Sequence, residues 1–167
     1  MTADRDDWER RMSHLWESLD EGSEETFLSR MDELCADLPA GDPVGVFERA
    51  SAMDSTGHSD MAVPLYREAL GRGLGGGRRR RAVIQLASSL RNIGRVSDSV
   101  ELLEAEAQAA SDELDDAVSA FLALALADSG REREAVSLVL TALAHHLPRY
   151  QRSVTSYAAG LTDPAAS

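Results

Sequence analysis

Seven arginines and no acidic residue fall within residues 71–95, GRGLGGGRRRRAVIQLASSLRNIGR, of a 167-residue chain whose formal net charge is −12. Guanidinium groups at that density suit a carboxylate or a phosphate, which they hold through charge-assisted hydrogen bonds. Residues 71–76, GRGLGG, also have the G-x-G-x-x-G spacing that lets a backbone approach a pyrophosphate. That chemistry requires a strand before the glycines and a βαβ unit around them, whereas here a helical pattern precedes and no strand pattern follows. The glycines therefore read as an inter-repeat loop. A helix start with free N–H groups remains, and Arg78, Arg79, Arg80 and Arg81 beside it form a candidate anion contact. A sequence pI near 4.7 argues against general nucleic-acid binding, because the rest of the surface repels phosphate.

Other reactive side chains make no constellation. His14, His58, His145 and His146 lack the i, i+4 spacing of a helical metal site, and the adjacent pair projects to different sides of a helix. Cys35 is the single cysteine, so no internal disulfide and no cysteine-based zinc site can form. No nucleophile–base pattern stands out from the acidic background, and neither catalysis nor a cofactor is expected.

The elements that must carry these residues are helical. Trp8, Met12, Leu15, Trp16 and Leu19 recur at spacings of three and four, predicting a helix from about residue 4 to 20. Ser23 then caps a second helix with Phe27, Met31, Leu34, Cys35 and Leu38 on one face, which residues 39–43, PAGDP, terminate. Residues 1–42 thus form an acidic hairpin. Beyond it one pattern occurs three times: Ala50, Met53, Gly57, Ala62; Ala87, Leu90, Gly94, Ser99; Ala123, Leu126, Gly130, Ala135. The glycines lie 37 and 36 residues apart, each where a helix must end and the chain turn back. Four residues after each small residue come Tyr66, Leu103 and Val139, one turn along the same face of the second helix. Tyr150, Val154, Tyr157 and Leu161 then predict a closing helix over 149–161, with a tail at 162–167.

This spacing of small and turn residues resembles the tetratricopeptide repeat (TPR), in particular the short bacterial group-5 type. STGHSDMAVPLYREAL, residues 55–70, follows the consensus second helix through Gly57, Ala62, Tyr66, Ala69 and Leu70. The chain departs from the consensus where Val46, Val83 and Ser119 replace the bulky aromatic of the first helix. The resemblance implies an all-α solenoid of antiparallel helix pairs, about nine helices in a right-handed superhelix, with repeats at 43–76, 80–113 and 116–148. It further implies that the first helix of each repeat lines a concave groove for a peptide or protein segment.

In that groove would lie Arg81, Gln85, Ser88 and Asn92, which stack on one side of the middle repeat's first helix. The same offsets give Val44, Glu48, Ser51 and Ser55 in the first repeat, and Ala117, Phe121, Leu124 and Asp128 in the third. The expected groove is polar at one end and apolar at the other, around Phe121 and Leu124. Two other partners fit the charge pattern. The acidic hairpin, net −8 over residues 1–37, could meet the arginines of a second copy to make a homodimer, or fold onto those of its own chain, with Trp8 or Trp16 over Phe121 and Leu124. A phosphorylated or nucleic-acid ligand at Arg78–Arg81 is the third reading. The start of the chain lacks a signal-peptide pattern and no apolar run is long enough to span a bilayer, so a cytoplasmic location without a membrane partner is expected.

Overall fold

A computed structural model describes residues 2–109 and 111–163, with side chains from Arg5 onward. Among the described residues every regular element is a helix: α1 (Thr2–Glu17), α2 (Glu24–Ala36), α3 (Pro43–Ser55), α4 (Ser59–Gly71), α5 (Gly76–Asn92), α6 (Val96–Ala107), α7 (Asp115–Asp128), α8 (Glu132–Ala144) and α9 (Gln151–Thr162). The chain divides into two compact units, Met1–Gln85 and Leu86–Ser167, and the division falls inside α5.

The first unit begins with the hairpin. Ser23 Oγ accepts from the Thr26 amide and fixes the start of α2, and Asp42 does the same for α3 through the Val44 and Gly45 amides, with Pro43 in the first helical turn. Trp8, Met12 and Leu15 of α1 are buried against Phe27, Met31, Leu34 and Cys35 of α2 and Ala52 of α3. The indole of Trp8 donates to the Leu34 carbonyl at 2.8 Å, so the one polar atom of a buried ring is satisfied. Pro64 sits inside α4 on its exposed side, so the backbone donor it lacks is lost where water can replace it.

Each repeat turns in the same way. At Gly57 the chain takes φ +89°, with the His58 amide donating to the Met53 carbonyl and the Gly57 amide to the Asp54 carbonyl. Gly94 and Gly130 repeat the geometry, the Arg95 amide reaching Leu90 and the Arg131 amide reaching Leu126. This paired bond closes a helix on a left-handed residue, which glycine adopts without a Cβ clash. Ala50, Ala87 and Ala123 on the first helices, and Ala62, Ser99 and Ala135 on the second, are all buried. Small side chains at those positions let the paired helices approach closely.

In the second unit α6 packs on α7, α7 on α8 and α8 on α9. Arg91 Nε donates to Asp128 at 2.6 Å, tying the end of α5 to the end of α7. Arg131, just after the last turn glycine, reaches Glu104 of α6 and Glu134 of α8.

The structure departs from the sequence reading in places. Gly76, expected in a loop, begins α5 behind the buried Leu74. Helix α1 ends at Glu17 rather than near residue 20, and α9 starts at Gln151, where Tyr150 takes φ 69°. Tyr66 and Leu103 are buried as expected, but Val139 is 42% exposed. Of the expected tail, residues 164–167 lie outside the described residues.

Candidate functional site

The arginine run is spread around α5, since successive residues on a helix are about 100° apart. Arg78 points toward the hairpin, Arg79 is exposed, Arg80 is buried and Arg81 lies with its guanidinium 5.4 Å from the centre of the Phe47 ring. Four consecutive side chains so dispersed do not converge on one anion. Arg78 already holds two. Its Nη1 and Nη2 donate to the two oxygens of Glu9 on α1 at 3.1 and 2.6 Å, and its Nε donates to Glu48 of α3 at 2.9 Å. The other oxygen of Glu48 accepts from Trp16 Nε1 at 2.9 Å. The sequence places Glu48 among the groove positions and Arg78 at a candidate anion contact, but nothing in it joins either to Glu9. Within residues 43–53 of α3 the charged residues are Glu48 and Arg49, and Glu48 amid apolar and small neighbours is the signal the sequence carries.

The charges respond accordingly. Burial by itself would push the Glu9 carboxyl up, but the hydrogen bond and charge of Arg78, with help from Arg5, outweigh it and hold Glu9 below the ordinary carboxylate value. For Arg78, burial disfavours the cation, yet the two carboxylates raise its pKa above the usual arginine value. The Glu48 side chain is only 3% exposed. A carboxylate that deep is tolerated because both oxygens are engaged.

This network and the packing beside it take up most of the first-repeat positions expected in the groove. Glu48 is spent on Trp16 and Arg78, Ser51 donates to Gln85 Oε1 at 3.4 Å and receives the Tyr66 hydroxyl at 3.5 Å, and Val44 packs against the hairpin core. Only Ser55 of that set is exposed. The tryptophans are spent here too: Trp16 meets Phe27 edge-on, ring centres 5.4 Å apart, and Trp8 is buried beside Met31 and Leu34.

The stripe on α5 is more accessible. Arg81 and Asn92 are exposed and Gln85 and Ser88 are half-buried, while Val83, Leu86, Ala87 and Leu90 of the same helix are buried. On α7, Leu124 is 47% exposed and Phe121 is half-buried one turn before it, whereas Val118, Leu122, Ala125 and Leu126 are buried. The candidate residues therefore sit on two helices, four on α5 and two on α7. His58 and His146 face single carboxylates, Glu24 and Asp116, and among the described residues no three metal-ligating side chains gather. No helix among them is long and apolar enough to cross a membrane.

The three equivalent glycine turns and the buried small residues on facing helices match a known pattern, and residues 43–161 match the model of the tetratrico peptide repeat family. The chain belongs to the TPR family. Two crystal structures of nearly identical TPR-like repeats, described as kinesin light chain from Podosopora anserina and one of them a single-substitution form, align with this TPR protein at a TM-score of 0.67. Each is 20% identical, with 92% of this chain and 82% of the other covered. At that identity the likeness shows the TPR fold alone. No curated protein matches the chain.

Proposed function

We propose that this TPR protein is a non-catalytic interaction module that binds a peptide or protein segment through the accessible side of its first helices, with Arg81, Gln85, Ser88 and Asn92 of α5 and Phe121 and Leu124 of α7 as contact residues. TPR folds generally mediate protein–protein interaction, which supports the class of function. The observation that carries the specific reading is Leu124, a large apolar side chain left 47% exposed on a helix whose other face is buried, with Phe121 one turn away. An exposed apolar side chain of this size suits a segment bearing one hydrophobic anchor. Homodimerisation through the acidic hairpin finds less support, because Glu9 and Arg78 satisfy each other within one chain. A phosphate or nucleic-acid ligand at Arg78–Arg80 finds less support for the same reason and because Arg80 is buried.

A displayed library of random peptides, selected on the intact protein, tests this. Enriched peptides should carry a large apolar residue, and their binding should fall at least tenfold with Leu124→Asp and several-fold with Asn92→Ala, while the circular dichroism of both variants matches the parent. Peptides that bind the two variants as well as the parent would refute the assignment.

A further inference from the structure

Helix α8 leaves a second apolar surface bare. Val136, Val139 and Leu143 are 49%, 42% and 46% exposed, and at 100° per residue they fall within about 60° of one another. Their spacing of three and four is that of a helix–helix seam. Helix α9 does not cover it. It packs on another side of α8, where Ser137 Oγ donates to the Ala158 carbonyl at 2.7 Å and Arg133 Nε to the Leu161 carbonyl at 2.9 Å. That reversed order shows the two helices to be antiparallel, and their shared handedness then puts Tyr157, 75% exposed, on the same side of the pair as the seam.

We infer that this seam is a homodimer interface, in which α8 packs antiparallel on α8 of a second copy. The ends of the seam identify the occupant. Glu132 continues the stripe one turn before Val136, and Arg149 follows Leu143 in sequence, past the end of α8 at Ala144; both are exposed, and neither has an ion-pair partner among the described residues. Two such helices, antiparallel and centred near Val139, bring Val136 opposite Leu143 and Glu132 opposite the segment Leu147–Arg149 of the copy. Each acid then faces an arginine twice over, by symmetry. Like-charge repulsion is least here as well. Residues 132–163 hold three arginines and three acids in a chain of net −12. The seam involves neither α5 nor the α7 pair, so its fate is independent of the peptide-binding reading.

Sedimentation equilibrium of the full chain, from roughly 1 to 200 µM at low salt, reads the association, a range that covers weak interfaces of small area. The parent should dimerise reversibly. Val139→Glu combined with Leu143→Glu should be monomeric throughout with helicity close to the parent's, since both side chains are already partly in solvent. Glu132→Arg and Arg149→Glu should each weaken the dimer by about fivefold or more, and the two together should restore it to within about twofold of the parent. A parent that stays monomeric, a dimer that survives the double glutamate variant, or a charge swap that fails to restore association would each overturn the inference.

Discussion

Replacing Arg78 by alanine should loosen the amino-terminal end of the molecule far more than the rest. The substitution strips Glu48, 3% exposed, of one of its two donors and leaves a buried carboxylate held only by the Trp16 indole. Breaking a buried ion pair costs about 3–5 kcal/mol. Arg78 is 25% exposed and Glu9 35% exposed, so water can replace part of what is lost and the Glu9 arm is screened. A net loss of about 2–3 kcal/mol follows. With a urea slope of about 1–3 kcal/mol per molar, the midpoint should fall by about 1 M or more. Both tryptophans of the chain, Trp8 and Trp16, lie on α1, so indole fluorescence reports this end while circular dichroism at 222 nm reports all helices. The fluorescence transition should shift more than the dichroism transition. Arg79→Ala, at an exposed position of the same run, should change neither by more than about 0.5 kcal/mol. Equal behaviour of the two variants would refute the argument that Arg78 supports a buried carboxylate.

Three further outcomes follow from the packing of these helices. Ser99→Ala should stabilise the protein by about 1 kcal/mol in urea denaturation, because the Ser99 hydroxyl is buried without a hydrogen-bond partner among the described residues, where the other repeats carry Ala62 and Ala135. Acid should weaken the fluorescence-detected transition through Glu9: its folded pKa lies below the unfolded value of about 4.3, so its contribution is complete above that pH and is lost as pH falls through the folded value. Arg78→Ala should flatten that dependence. Finally, burial pushes the Cys35 thiol up to about 12, so at pH 8 a disulfide reagent should react only through opening of the hairpin core, and Arg78→Ala should speed the reaction. A thiol that labels equally fast in both proteins would contradict this.

The sequence exposed the repeat because its signals are local. A glycine that must take positive φ, and small residues where helices cross, are fixed by the backbone of each repeat, and Gly57, Gly94 and Gly130 could be placed by counting. Hairpin periodicity was equally readable, since Trp8, Met12 and Leu15 share one face. The Glu9–Arg78–Glu48 network was hidden for the opposite reason: Glu9 and Arg78 are 69 residues apart, and each is one among many like charges. Extending the groove offsets to Glu48 and Ser51 failed because position along a helix does not say what packs over it. Val139 shows the same limit, for its position matches the buried Tyr66 and Leu103, and only the arrangement of α8 against its neighbours leaves it in solvent.

The reach of Arg78 back to α1 also sets an order of events as the chain is made. In a stacked array each layer is expected to depend on its immediate neighbour, so that the front could close as soon as the first few helices leave the ribosome. Here the front waits. Until the opening turn of α5 has emerged, Glu48 has no cation, and helices α1 to α4 carry a half-satisfied acid in their interior. That dependence makes the first cooperative block end partway through α5 rather than at a repeat boundary, and a nascent chain stopped before residue 76 should remain open to proteolysis in its first helix.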